Sequence, residues 1–279
     1  MKLLLLLWEI VYRKLIYPTL KLEYVPLAAV LTLSTTNRMS QTTAVSQTPV
    51  EYDVRFPLAR SMIVSGPSCS GKSYFVAELL RDTEVYFVPR PKRIIWYYGE
   101  VAPQPVVKGI QYKKGLPTES DVNSFLQDIV VLDDLMWESR SNIQVGNLFT
   151  RVAHHRQCFI IQMTQNLFQS GSVTRTQSLN AHYFILFKNP RDRLQITHLA
   201  RQIYPRQGDF FLSCFEDATR RDHGYLLVDL GPTTKEGMRL RSNILLADKQ
   251  YVVYLPPAPQ NDVYKTPSSH STHSATDST

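Results

Sequence analysis

Residues 66–73 are Gly66, Pro67, Ser68, Cys69, Ser70, Gly71, Lys72 and Ser73, and they match Gly-x4-Gly-Lys-Ser/Thr at every fixed position. Met62, Ile63 and Val64 precede the segment as an apolar run, and Tyr74 to Arg81 follow with a helical pattern. Such a loop needs a strand to deliver it and a helix N-terminus to receive it, which commits the chain to an α/β fold. Glycines let the backbone wrap closely around phosphate, and successive N–H groups at the helix start point at the anion. On this reading residues 66–73 cradle a nucleotide, Lys72 reaches its β- and γ-phosphates, and the Ser73 hydroxyl binds Mg²⁺. The plain alternative is a Gly/Ser-rich turn that only connects a strand to a helix.

The rest of the middle fits that commitment. Strands are expected at Ser61–Ser65, Arg93–Tyr98, Asp128–Asp133, Phe159–Thr164, Tyr183–Phe187 and Tyr225–Asp229. Several are nearly unbroken apolar runs, as in strands buried on both faces. Helical faces recur between them: Val145, Leu148, Phe149 and Val152; Ile196, Leu199, Ala200 and Ile203; Phe211, Cys214, Phe215 and Ala218. Strand–helix alternation predicts an α/β, three-layer fold with a mainly parallel central sheet, that of a P-loop NTPase.

A second acidic element lies 61 residues beyond Lys72, where Ile129, Val130, Val131 and Leu132 end in Asp133 and Asp134. This is the Walker B form. A buried strand would bring Asp133 to the edge beside the phosphate loop, where it holds Mg²⁺ through water. The next acid orients or deprotonates the attacking water. That acid is Asp134, one methylene shorter than Glu, which leaves Glu138 as its rival. After the next apolar strand come Thr164, Gln165 and Asn166. Gln165 is the first candidate to sense the γ-phosphate or position water, and Asn166 the second. The spacing leaves room for an additional strand between the two Walker strands. Phe187, Lys188, Asn189, Pro190, Arg191 and Asp192 carry the guanine-reading order Asn-Lys-x-Asp reversed, which argues against a GTPase.

Composition bounds the rest. Three well-separated cysteines, Cys69, Cys158 and Cys214, make neither a disulfide framework nor a zinc site. His154 and His155 lack further partners at metal-binding spacing and read as surface or capping residues. A surplus of 31 basic over 24 acidic residues suits a polyanionic partner. Residues 1–50 form a hydrophobic then polar extension: an amphipathic segment, or sequence upstream of a working start at Met39. The apolar run is too short for a signal peptide or membrane span, so neither secretion nor a stable membrane partner is expected. Residues 51–255 form the folded domain. Residues 256–279, with four prolines and nine Ser/Thr, read as a disordered tail.

Together these residues resemble a known family. The phosphate loop, Ile129–Met136, Leu148 to Thr150, His154 to Arg156 and Thr164 to Phe168 are similar to the viral DNA-packaging ATPases of the FtsK/HerA superfamily. The poxvirus-type branch, found in large DNA viruses, Polinton/Maverick elements and adintoviruses, resembles it most. Ser178 to Tyr183, Leu186 to Asp192, Leu199 to Gln202, Phe215 to Thr219 and Gly224 to Asp229 extend the resemblance over about residues 56–246.

The resemblance implies an additional-strand P-loop fold and a homo-oligomeric ring. It implies ATP and Mg²⁺ as cofactors, and double-stranded DNA with a capsid or portal-vertex protein as partners. The location implied is the host nucleus or virion assembly site. It also implies an arginine supplied in trans, whose planar fork meets the charge on the transferring phosphoryl group. Arg156 is the first candidate, with Arg151 and Arg191 as rivals. DNA contacts would come from Arg90 to Arg93, Lys113 and Lys114, Arg220 and Arg221, or Arg239 and Arg241, gripping phosphates without reading bases. The catalytic set is thus Lys72, Asp134, Glu138, Gln165 and Arg156. Two other classes of function remain: a P-loop small-molecule or nucleoside kinase, and a non-catalytic nucleotide-binding assembly protein.

Overall fold

The computed structural model describes residues 21–26, 53–135, 143–168, 172–248 and 250–257. Glu138 lies outside the described residues, as do most of the N-terminal extension and the tail beyond residue 257. Strands in chain order are β1 (Lys21–Pro26), β2 (Phe56–Pro57), β3 (Ser61–Ser65), β4 (Phe87–Val88), β5 (Ile94–Tyr98) and β6 (Ile110–Lys114). They continue as β7 (Ile129–Asp133), β8 (Phe159–Thr164), β9 (Tyr183–Phe187), β10 (Tyr225–Asp229), β11 (Leu240–Ser242) and β12 (Gln250–Leu255). The main helices are α1 (Lys72–Arg81), α2 (Glu119–Ser124), α3 (Ile143–Asn147), α4 (Ser172–Asn180), α5 (Leu194–Ile203) and α6 (Gly208–Ala218).

Ten strands form one sheet in the order β1-β12-β11-β10-β9-β3-β8-β7-β5-β6. From β9 to β6 every pair is parallel. The flank β10, β11, β12 and β1 is antiparallel throughout. β8 lies between β3 and β7, so the strand that ends at Thr164 is itself the additional strand. β1 pairs with β12 from Lys21 opposite Leu255 to Pro26 opposite Gln250, so one strand comes from ahead of residue 51.

The unbroken apolar runs follow from burial on both faces. Ile63, Val130, Leu132, Ile160, Phe184 and Leu226 face one core, where Leu148, Phe149, Leu199, Phe211 and Cys214 cover them. Their neighbours Met62, Val64, Val131, Ile161, Met163 and Ile185 face the other, under Phe75, Val76 and Leu79 of α1. The helical pattern at 145–152 meets a deviation. α3 runs into a π-helical turn at Leu148–Val152. The wider turn leaves Val145, Leu148 and Phe149 buried but turns Val152 partly outward. Among the described residues no helix is long and apolar enough to cross a membrane.

Candidate nucleotide site

The ends of β3, β7, β8 and β9 share one edge, because parallel strands all deliver their C-termini to the same side. Ser65 lies opposite Thr164 on β8 and Leu186 on β9, while Asp133 lies opposite Met163. The Gly66 N–H donates to the Thr164 carbonyl at 3.1 Å and launches the loop from the sheet. Gly66 has no room for a side chain: a Cβ there would fall 2.6 Å from Phe187 Cβ and 2.7 Å from Ser70 Oγ. Cys69 at φ +62° and Gly71 at φ +105° turn the chain back into α1. Gly71 stands at the N-cap of α1 and has no side chain to cap it, so the first-turn N–H groups remain free for an anion.

Lys72 donates from Nζ to the carbonyls of Gly66 at 2.7 Å and Pro67 at 2.8 Å, which holds the ammonium across the loop. Burial lowers its pKa, while Asp133, Asp134 and Cys69 pull it back up. Asp133 accepts at Oδ2 from the Trp96 indole N–H at 3.1 Å. Burial raises its pKa; the Trp96 hydrogen bond opposes that, Asp134 adds to it and Lys72 opposes it. The loop lysine and the strand-end acid therefore lie within electrostatic reach of each other, as a nucleotide spanning both requires. Ser73 occupies the second position of α1, half-buried. A hydroxyl and a carboxylate are hard oxygen donors, which suits Mg²⁺ completed by phosphates and water.

Asp134 is exposed and left-handed at φ +51°, an uncommon conformation that aspartate tolerates better than most residues. Gly99 makes room for its carbonyl, since a Cβ there would meet that oxygen at 3.2 Å. Gln165 Nε2 reaches Asp134 Oδ1 at 3.5 Å, the outer limit of a hydrogen bond. The turn carrying Gln165 is fixed at both ends. Thr164 Oγ1 donates to the Asn166 carbonyl at 2.8 Å, and Gln195 Oε1 accepts from Leu167 N–H at 2.6 Å and Phe168 N–H at 3.2 Å.

The structure thus brings Lys72, Asp133, Asp134 and Gln165 together, and it places Arg156 elsewhere. Arg156 precedes β8 by three residues, at the opposite edge of the sheet, about 20 Å from Gln165 along the strand. It lines a cleft of about 610 Å³ with Arg151, His155 and Glu119. Of the three candidate arginines only Arg191, in the turn after β9, is on the phosphate-loop edge. Sequence reasoning missed Trp96, Gln195, Phe187 and His223, whose ring nitrogen Nδ1 sits 3.1 Å from the Ser70 carbonyl oxygen. Their signals are tertiary, and none stands at a fixed spacing from the loop. Several basic residues read as DNA contacts are engaged in ion pairs within the chain. Arg93 pairs with fully buried Asp128, and Arg241, itself 2% exposed, pairs with buried Asp229 at 2.7 Å. Arg239, Arg220 and Lys113 are held by Glu236, Asp217 and Asp121.

A phosphate loop at the C-terminal edge of a mostly parallel sheet, with a strand inserted before the acidic strand, defines the three-layer α/β fold of P-loop NTPases. No protein-family model matches the sequence, and no curated protein matches it. Among solved structures the chain is similar to the genome packaging NTPase B204 of Sulfolobus turreted icosahedral virus 2 in complex with ATP-gammaS. Identity is 10% and the TM-score 0.44, over 63% of this chain and 95% of that one. A likeness of that size leaves the function to be argued from this chain's own residues.

Proposed function

We propose that this chain is an ATP-hydrolysing motor that moves double-stranded DNA into a viral capsid. The observation that carries the hydrolytic half is the convergence of Lys72, Asp133, Asp134 and Gln165 at one sheet edge, with Gln165 reaching Asp134 at 3.5 Å. A strand-end acid beside a strand-end amide suits activation of water. The DNA-coupled half rests on the sequence resemblance.

In this mechanism the N–H groups of the loop and the first turn of α1 bind the phosphates, and Lys72 leaves its loop carbonyls for the β- and γ-phosphates. Ser73 and Asp133 would hold Mg²⁺, which would supply charge neutralisation at the phosphates. Gln165 orients a water, and Asp134, or Glu138 in its place, takes the water's proton. Residues 51–255, with β1 added at the edge of their sheet, form the motor domain, and its subunits form a ring at a capsid vertex. The ring works in the host nucleus or at the virion assembly site, with Arg156, Arg151 or Arg191 completing a neighbour's site.

The test is steady-state phosphate release by the full chain with and without linear duplex DNA, beside Lys72→Ala. Several-fold stimulation by duplex, abolished in the variant, is expected. Hydrolysis indifferent to DNA removes the packaging half and favours a kinase, to be sought by transfer to acceptors. Asp134→Asn should bind ATP and stop turnover. If Glu138→Gln alone stops it, the base is Glu138.

A further inference from the structure

α4 packs against α3 and the π-helical turn, and α5 packs against α6. The two pairs leave a groove of about 800 Å³ between α4 and α5. Its floor is apolar: Phe184 of β9 and Leu199 of α5 are buried there, with Ile203 and Leu230 partly buried beside them. Leu179 stands on the α4 wall with 71% of its surface exposed. Apolar side chains open to water along a groove between helices mark a docking face. The groove ends at Glu236 and Arg239, in the turn between β10 and β11.

The chain brings an occupant to that end. The turn carrying Glu236 packs on β12, where a Cβ on Gly237 would come 3.3 Å from Leu255 Cδ2. Leu255 pairs with Lys21, the first residue of β1. β1 therefore enters the sheet beside the open end of the groove, and residues 1–20 lead into β1 from there. At helical spacing Leu4, Trp8, Val11 and Leu15 share one face, and Lys2, Glu9 and Arg13 share the opposite one. Pro18 stops the pattern. A helix over residues 3–17 would be about 22 Å long, and residues 18–20 can span about 10 Å. Two strand spacings separate β1 from β11, which is also about 10 Å, so the connection reaches. Residues 256–279 leave the same edge of the sheet, but their Pro, Ser and Thr make no such apolar face.

We propose that residues 3–17 lie as an amphipathic helix in the groove between α4 and α5 of their own subunit. Leu15 and Val11 meet Leu230 and Ile203, Trp8 and Leu4 reach Phe184 and Leu179, and the charged face stays in water. The extension ahead of Met39 then belongs to the fold twice, as the strand β1 and as a strap over the helices. The strap also braces the hydrolytic edge, because Phe168 lines the groove and its N–H donates to Gln195 of α5. The docking itself is independent of what the phosphate loop binds.

The test is limited trypsin digestion of the full chain, read by mass spectrometry as the rate of cutting after Arg13 and Lys14. A docked segment is cut only when it leaves the groove, so cutting there should be at least about tenfold slower than after Lys265. Leu179→Glu puts a charge on the groove wall at an exposed position. Trp8→Asp puts one on the apolar face of the segment and leaves the groove untouched. Each should bring cutting after Arg13 and Lys14 to within about twofold of that after Lys265. No protection in the parent chain, or protection that survives in either variant, overturns the proposal. Protection that grows with protein concentration would place the segment on a second copy. Protection that needs phosphatidylcholine–phosphatidylserine vesicles would place it in a membrane. Either result also overturns docking within the subunit.

Discussion

Asp133 sits among opposing influences: burial and Asp134 push its pKa up, and Trp96 and Lys72 pull it down. The indole N–H at 3.1 Å is the only one of these supplied by a neutral side chain from a neighbouring strand. Trp96→Phe removes it and keeps most of the packing. The carboxyl pKa then rises, and in the proposed site a protonated Asp133 would not hold Mg²⁺. The acid limb of the hydrolysis profile should move to higher pH, since the lost hydrogen bond favoured the charged carboxylate. An unmoved limb would show that Asp133 does not govern it. His182 tests a different linkage. Burial, with Arg60 and His154 nearby, lowers its pKa to about 4 against the opposing pull of Asp229. Its Nδ1 accepts from the Ser61 N–H at 3.3 Å, which fixes a neutral ring. With the folded pKa below the unfolded one, the unfolded state binds more protons between about pH 6.5 and 4. Stability should therefore fall as pH drops through that window, by no more than about 1.4 kcal/mol per unit for one site. Urea melts of His182→Gln should show a shallower dependence than the parent chain. Asp133 and Gln165 were legible in sequence because each ends an apolar run. Trp96 and His182 were not, because lateral contacts between strands obey no chain spacing.

Strands were readable where burial on both faces wrote an apolar run into the chain. Ser61–Ser65, Phe159–Thr164, Tyr183–Phe187 and Tyr225–Asp229 form as expected, and β5 and β7 each start one residue later than read. β6 was missed because Ile110 to Lys114 form an edge strand whose residues are all partly or fully exposed. β11 was missed for the opposite reason. Three residues long, it carries Arg241 into the interior, a residue type that reads as surface. Its partner Asp229 is twelve residues earlier on β10, and the Tyr251 hydroxyl lies 3.1 Å from the same guanidinium. Removing one member of such a pair leaves a buried charge uncompensated. Arg241→Ala should cost about 3–5 kcal/mol and lower Tm by on the order of 10 °C. Below the new transition, duplex-stimulated hydrolysis should persist, since Arg241 faces Asp229 rather than DNA. A melt within about 2 °C of the parent would return Arg241 to the list of surface cations.

At the scale of the whole molecule, the two ends of β8 carry two different candidates of the proposed motor. Gln165 follows its C-terminus beside the phosphate loop, and Arg156 precedes its N-terminus at the far edge of the sheet. Within one subunit the two are about 20 Å apart, too far for Arg156 to meet its own nucleotide. In the proposed ring a heterologous contact would remove that obstacle, because one patch of each subunit would meet a different patch of the next. Arg156 then serves a neighbour or nothing, and a mixing experiment separates the two. Arg156→Ala subunits keep Lys72 but offer no arginine; Lys72→Ala subunits offer the arginine but hydrolyse nothing. In an equal random mixture about a quarter of the contacts pair an intact loop with an intact Arg156. Phosphate release should therefore recover to about a quarter of the parent rate, against near zero for either variant alone. A mixture as inactive as its components, with rings still formed by sedimentation, would exclude Arg156. The same experiment with Arg191→Ala would then decide whether the arginine comes from the phosphate-loop edge.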